Sequence, residues 1–230
     1  MTRIALAVLL LAASATPALA QQNPPAQGSI DRPEEPNLVF DDDGGKAQIV
    51  PADLSVVVEK KFHGGEVMQS AQQVSIFLGS GWGDPQVRSR QVAIHDLAAR
   101  PSGVLEELKK NHVSTWSALP SVEDFSDLTG TKVNDLTIQR KLSDWLASKA
   151  IPAPTASLIY VIFLAPGVNS SLGAHKGGLE YAAYHNFVHL EAGEVRYVVV
   201  PFSDQADRHA AAAARAFADT ALNPNGNGWY

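Results

Sequence analysis

The sequence contains no cysteine. Disulfide scaffolds, cysteine-held zinc, iron–sulfur clusters and thiol catalysis are thereby excluded. It also lacks a basic excess: 24 acidic residues face 18 basic ones, giving a net charge of −6 and a pI near 5.6. That argues against a dedicated nucleic-acid binder, which usually carries surplus Lys and Arg. No apolar run reaches the roughly 20 residues a membrane helix needs. Internal repeats are absent. What is present is 230 residues, 45% hydrophobic and 18% charged, a composition that excludes collagen, a coiled coil and a chain disordered throughout.

The first twenty residues read as a secretory signal. Arg3 supplies the positive start, Ile4 to Ala13 is apolar, and Ala18-Leu19-Ala20 is the small-x-small pattern of a cleavage site. The expected mature chain begins at Gln21 and has 230 − 20 = 210 residues. Losing Arg3 makes its charge 17 − 24 = −7. An uncleaved anchor is the competing reading. No cysteine follows to carry a lipid, so a secreted or periplasmic protein is expected, with a core that must hold without disulfides.

Residues 21–52 read as a disordered tail. Pro24, Pro25, Pro33 and Pro36 alternate with acids and lead to Asp41-Asp42-Asp43-Gly44-Gly45. Such a stretch buries too little apolar surface to offset its ordering entropy. Three consecutive Asp do not supply the alternate ligands of a calcium loop. From residue 53 to 230 one folded domain is expected. Leu54–Phe62 and Val74–Leu78 read as strands, the second buried and bounded by Gly79, Gly81 and Gly83. Asp84-Pro85 starts a helix whose face is Val87, Gln91, Ile94 and Ala98. Val104–Lys110 is a short helix. Trp116 and Phe125 are expected to anchor the mixed region after it. Asn134–Lys149 is amphipathic along Ile138, Leu142, Trp145 and Leu146, and Pro152 and Pro154 stop it. Leu158–Leu164 is apolar throughout and must be covered on both faces. Tyr181–Leu190 and Glu194–Phe202 form a hairpin, and Asp204–Leu222 is an alanine-rich helix. The alternation predicts an α/β domain: one central mixed sheet with helices packed on it and a hairpin before the C-terminal helix, a zincin-like order.

Four segments together carry a family resemblance. They are Phe62-His63-Gly64-Gly65-Glu66-Val67-Met68, Val74 to Trp82, Leu158 to Val168, and Asn223-Pro224-Asn225-Gly226-Asn227-Gly228-Trp229-Tyr230. With Tyr184-His185 ahead of Pro201-Phe202, they resemble the EXORDIUM, or phosphate-induced protein 1, family over residues 56–230. Glu66 stands where that family usually has Pro, and the cysteines of its plant members are missing. The resemblance implies a secreted domain of undetermined biochemistry; no cofactor is expected.

In the resemblance to zinc peptidases, Arg215-Ala216 occupies the place of the last helix's His-Glu, and arginine cannot ligate zinc. His209 lies six residues upstream. His185 and His189 share one ion only if their segment is helical; on a strand they stand about 13 Å apart. Gly79-Ser80-Gly81 is either a nucleophile turn or a tight strand exit. Glu180, Glu191 and Glu194 are either a carboxylate pair or a solvated hairpin end. Trp82 either stacks on a ligand at a strand end or plugs the sheet as core. His63 and His185 are ambiguous between turn-stabilising and binding roles. The expectation is a non-catalytic domain binding a glycan or envelope component through His63, Trp82 and His185, with a zincin-like metallohydrolase, active or degenerate, as the alternative. Asn223 to Tyr230 is expected to fold back and hold the last helix in place.

Overall fold

Seven consecutive apolar side chains, Leu158–Leu164, are all buried, and the architecture follows from how they are covered. The structure is a computed structural model that describes residues 38–40, 46–56, 61–100 and 104–228. In chain order its elements are β1 (Leu38–Phe40), β2 (Lys46–Pro51), β3 (Ser70–Leu78), α1 (Pro85–Ala99), α2 (Val104–Lys110), β4 (Thr115–Ala118), β5 (Val122–Asp124), β6 (Lys132–Val133), α3 (Asp135–Ala147), β7 (Leu158–Leu164), β8 (Asn169–Leu172), β9 (His175–Lys176), β10 (Tyr181–Leu190), β11 (Gly193–Val200) and α4 (Ala206–Leu222).

One mixed sheet runs β1-β2-β10-β11-β7-β3-β4, with β5 also pairing β3. β11, β7, β3, β4 and β5 pair in parallel, whereas β10, β2 and β1 extend the sheet by antiparallel pairing. β3 and β7 are central neighbours, with Ile76 opposite Ile162. Period-two alternation sends Ile159, Val161, Phe163 and Phe77 to one face, where Ile94 and Ala98 of α1 and the alanines and Phe217 of α4 cover them. Tyr160, Ile162, Leu164, Val74 and Ile76 go to the other face, under Ile138, Leu142 and Trp145 of α3. The fold is thus a single α/β domain with a central mixed sheet and, among the described residues, four α-helices. Asp84 caps α1 by accepting from the Gln86 N–H at 2.8 Å, and Asn134 caps α3 by accepting from the Thr137 N–H at 2.9 Å.

Four expectations need correction. The tail does not extend to residue 52: Lys46–Pro51 is a sheet strand paired with β10, and Ala47 and Val50 are buried. Ala47, Ile49 and Val50 are the apolar residues that drive this. Leu54–Phe62 is not a continuous strand. Asp53 accepts from the Ser55 N–H and hydroxyl, turning the chain at Leu54 and Ser55. Such local side-chain bonding competes with an extended ladder. Residues 57–60 of that expectation lie outside the described residues, as do the signal, the tail up to residue 37 and its acidic run, and Trp229-Tyr230. Helix α3 ends at Ala147, and Lys149, the expected last residue, stands beyond it at φ 59°. Trp116 anchors as expected, stacking on Phe217 at 4.0 Å, but Phe125 is 41% exposed and stands at the surface.

The closing segment meets the first glycine turn. The Gly228 carbonyl accepts from the His63 N–H at 2.7 Å, and Asn223 Oδ1 accepts from the Gly228 N–H. Gly65 lies so close that an added Cβ would stand 2.4 Å from the Gly228 Cα. Two of the family-like segments are therefore one structural unit, at the amino edge of the parallel strands, where the Met68 N–H also donates to the Ala221 carbonyl at the end of α4.

Candidate ligand-binding site

The carboxyl edge of the parallel strands is the other end of the sheet, and open α/β sheets bind ligands there. β11 stops at Val200 because Pro201 cannot continue the ladder. Phe202, Ser203 and Asp204 then turn the chain into α4. Gln205 N–H donates to the Ser203 hydroxyl at 3.3 Å, and Arg90 Nη1 holds the Asp204 carbonyl at 3.1 Å. Across from this turn the chain from β9 to β10 packs tightly: a Cβ at Gly177 would meet Pro201 Cγ at 2.6 Å and Ser170 Cβ at 2.7 Å. Between them lies a cavity of about 230 Å³, with Phe202, Ser203, Arg208 and His209 on one side and Gly178 and Ala182 on the other.

His209 forms its inner wall. It is 1% exposed, and neither ring nitrogen makes a hydrogen bond. Burial pushes its pKa down to about 4, and a nearby Val200 carbonyl opposes this only in part. The ring is neutral at ordinary pH, with one N–H donor and one acceptor. Trp82 stacks behind it at 6.2 Å, while Phe163 and Phe202 meet it edge-on at 5.3 Å and 5.9 Å. Arg208 stands exposed at the rim, its Nη2 donating to the Ala52 carbonyl at 2.7 Å.

The three residues expected to share a binding face do not come together. Trp82 is fully buried, with its indole N–H donating to the Phe163 carbonyl at 3.0 Å. It backs the cavity wall and presents no face to solvent. His63 is exposed at the amino edge; the rise from His209 to Leu222 along α4 alone puts about 20 Å between the two ends. His185 is buried within β10, opposite Val198, and is not at the head of the strand. His189 lies on the same strand, exposed and paired with Glu194 at 3.1 Å, so the helical arrangement of the two histidines does not occur.

Other polar groups are engaged elsewhere. Glu180 pairs with His175 and Glu194 with Arg196. The Ser80 hydroxyl meets Asp127 at 3.5 Å. Arg215 donates to the Leu54 carbonyl. Among the described residues no three His, Asp or Glu side chains gather as a metal-ligand group. Buried Asp135 is closed in by Tyr197 at 2.8 Å, Asn186 at 3.1 Å and Gln139 at 2.7 Å. Asp124 ties β5 to α3 through Lys141 at 3.1 Å and Trp145 at 2.8 Å. A larger groove of about 340 Å³ between α3 and the hairpin turn, lined by Leu146, Leu190 and Glu191 among others, contains no buried unpaired polar group. The smaller cavity is the better site because it brings an aromatic ring, a guanidinium and an unpaired imidazole together.

Sequence reasoning passed over Phe202 and Arg208 and weighed His209 only as a zinc ligand. The legible signal was Pro201-Phe202 directly after an apolar strand, with histidine one helical turn into the next element. Comparison with protein-family models, with curated proteins and with solved structures finds no match to this chain.

Proposed function

We propose that this chain is an exported, EXORDIUM-like binding domain that takes one sugar-sized unit of a glycan or envelope component in the cavity between β11 and α4. The observation that carries this reading is the pairing of Phe202 with the buried, unpaired imidazole of His209 in a cavity of about 230 Å³. That volume lies below the roughly 300–1,000 Å³ of drug-sized pockets and suits a single small ring. An aromatic side chain offers a face for the C–H side of a pyranose, and neutral His209 can both donate to and accept from hydroxyl groups. Export is supported by Arg3, Leu9 to Leu11 and Ala18-Leu19-Ala20. The family reading is supported by the four segments named above, two of which pack together.

The test is titration of the ¹⁵N-labelled protein with soluble chito-, cello- and uronate oligosaccharides. At least one should shift the amides from Phe202 to His209, and Phe202→Ala should abolish the shift while leaving the rest of the spectrum in place. Shifts centred on His63 instead, or none with any glycan, would overturn the assignment. Mass spectrometry of exported protein should find Gln21 at the N-terminus; a retained Met1 would remove the export reading.

A further inference from the structure

We propose that the unit bound in this cavity is acidic, its carboxylate seated at the amino end of α4 beside Arg208 and His209; this rests on the binding reading above. Helix α4 has 17 residues, and its N-cap, Gln205, makes no side-chain capping bond. Among the described residues, no side chain or loop carbonyl accepts from the N–H groups of Ala206, Asp207 or Arg208. Unfilled first-turn N–H groups and the positive end of the helix dipole favour an anion.

The second, independent observation is His209. It lines the same cavity and is 1% exposed; the Val200 carbonyl reaches the ring, but neither ring nitrogen makes a well-formed hydrogen bond. Leaving buried polar atoms unpaired is costly, so a ligand that pairs with them is favoured over an apolar one. A neutral imidazole matches an acidic sugar with both its nitrogens: the N–H donates to a carboxylate oxygen, and the bare nitrogen accepts from a neighbouring hydroxyl. Arg208 adds a guanidinium that donates to the Ala52 carbonyl, faces the Asp53 carboxylate and has five N–H donors in all. Two acids stand close: Asp204 lines the cavity mouth and Asp53 faces Arg208. Asp204 is almost fully exposed, with Arg90 at 3.9 Å, and Asp207 is exposed. Arg90 faces Asp204 and Arg208 faces Asp53, so selectivity comes from directed donors and not from a net positive field.

Matched pairs of sugars test this: glucuronic acid against glucose, and N-acetylmuramic acid against N-acetylglucosamine, titrated at low salt by NMR on the full mature chain. The acidic member of at least one pair should bind about tenfold tighter or more, as a charge-assisted contact requires. Which acid wins separates a wall-type glycan from an acidic polysaccharide. Arg208→Gln, an exposed change whose folding is checked by thermal melting, should bring the acid down to the affinity of its neutral partner. Equal affinities within both pairs would overturn the acidic assignment and leave the binding reading standing. No shift with any of the four sugars or the oligosaccharides above would end both. An acid preference unchanged in Arg208→Gln would overturn the placement of the carboxylate.

Discussion

His209 couples the cavity to stability at the level of a single residue. Its folded pKa, near 4, lies below the ordinary 6.5 because burial disfavours the charged ring. Between those values the unfolded chain binds a proton that the folded one refuses. Stability is therefore fully present above about pH 6.5 and falls as pH drops toward 4, by up to about 3 kcal/mol. Urea unfolding at intervals across this window should show that slope, and His209→Gln should flatten it. Gly65 makes a second residue-scale prediction. With Gly228 backbone 2.4 Å from the added methyl, Gly65→Ala should destabilise by about 1–3 kcal/mol, as overpacking does, read as a lower urea midpoint at unchanged m.

Among elements, α3 and β5 are joined by a partly buried ion pair. Burial raises the Asp124 pKa, but bonds from the Ser126 hydroxyl and N–H, the Lys141 ammonium and the Trp145 indole outweigh it and hold it at about 2. A depressed carboxylate stabilises above its unfolded pKa and loses that contribution as pH falls through the folded value. The window is thus pH 4 down to 2, and solvent screening reduces the effect to about 1 kcal/mol. Asp124→Asn should remove this acid step while leaving the His209 slope at higher pH. The end of α4 gives a separate test. Asn223 Oδ1 receives the Gly228 N–H at 2.6 Å, so Asn223→Ala should cost about 1 kcal/mol and speed hydrogen exchange at Gly228 and His63 together. Exchange rising at Gly228 alone would show that the closing segment and the first glycine turn are not one unit.

Across the whole molecule, the sheet divides buried polar chemistry between its faces. Tyr181 and Tyr184 sit on the α3 side with Asp135, and burial drives both phenols well above their usual pKa, as it does Tyr160. A raised phenol pKa means the folded chain keeps protons that the unfolded chain releases above pH 10, so alkali destabilises the fold. Absorbance titration at 295 nm should show these three of the five tyrosines ionising only with global unfolding. Ionisation of all five before loss of circular dichroism would mean the α3 face is open to solvent.

The sequence by itself determined the parts whose cause is local. Leu158–Leu164 and Val74–Leu78 are apolar at every position, and only a strand covered on both faces satisfies that; Asp84-Pro85 and Asn134 mark helix starts by chemistry within one turn. The hairpin was legible for the same reason, with Gly193 at φ 120° in its turn. Parts that depend on partners distant in the chain were not legible. Lys46–Pro51 reads as the end of a tail until β10 supplies its hydrogen bonds. Trp82 reads as a strand-end platform until Phe163, Phe202 and His209 close around it. His63, Trp82 and His185 were expected to share one face, but β3 runs between the first two and sends them to the amino and carboxyl edges, while His185 is buried within β10. The cavity belongs wholly to the tertiary structure. Phe202 and His209 acquire their roles only because α4 packs back across the sheet, which buries the imidazole without giving its nitrogens a partner.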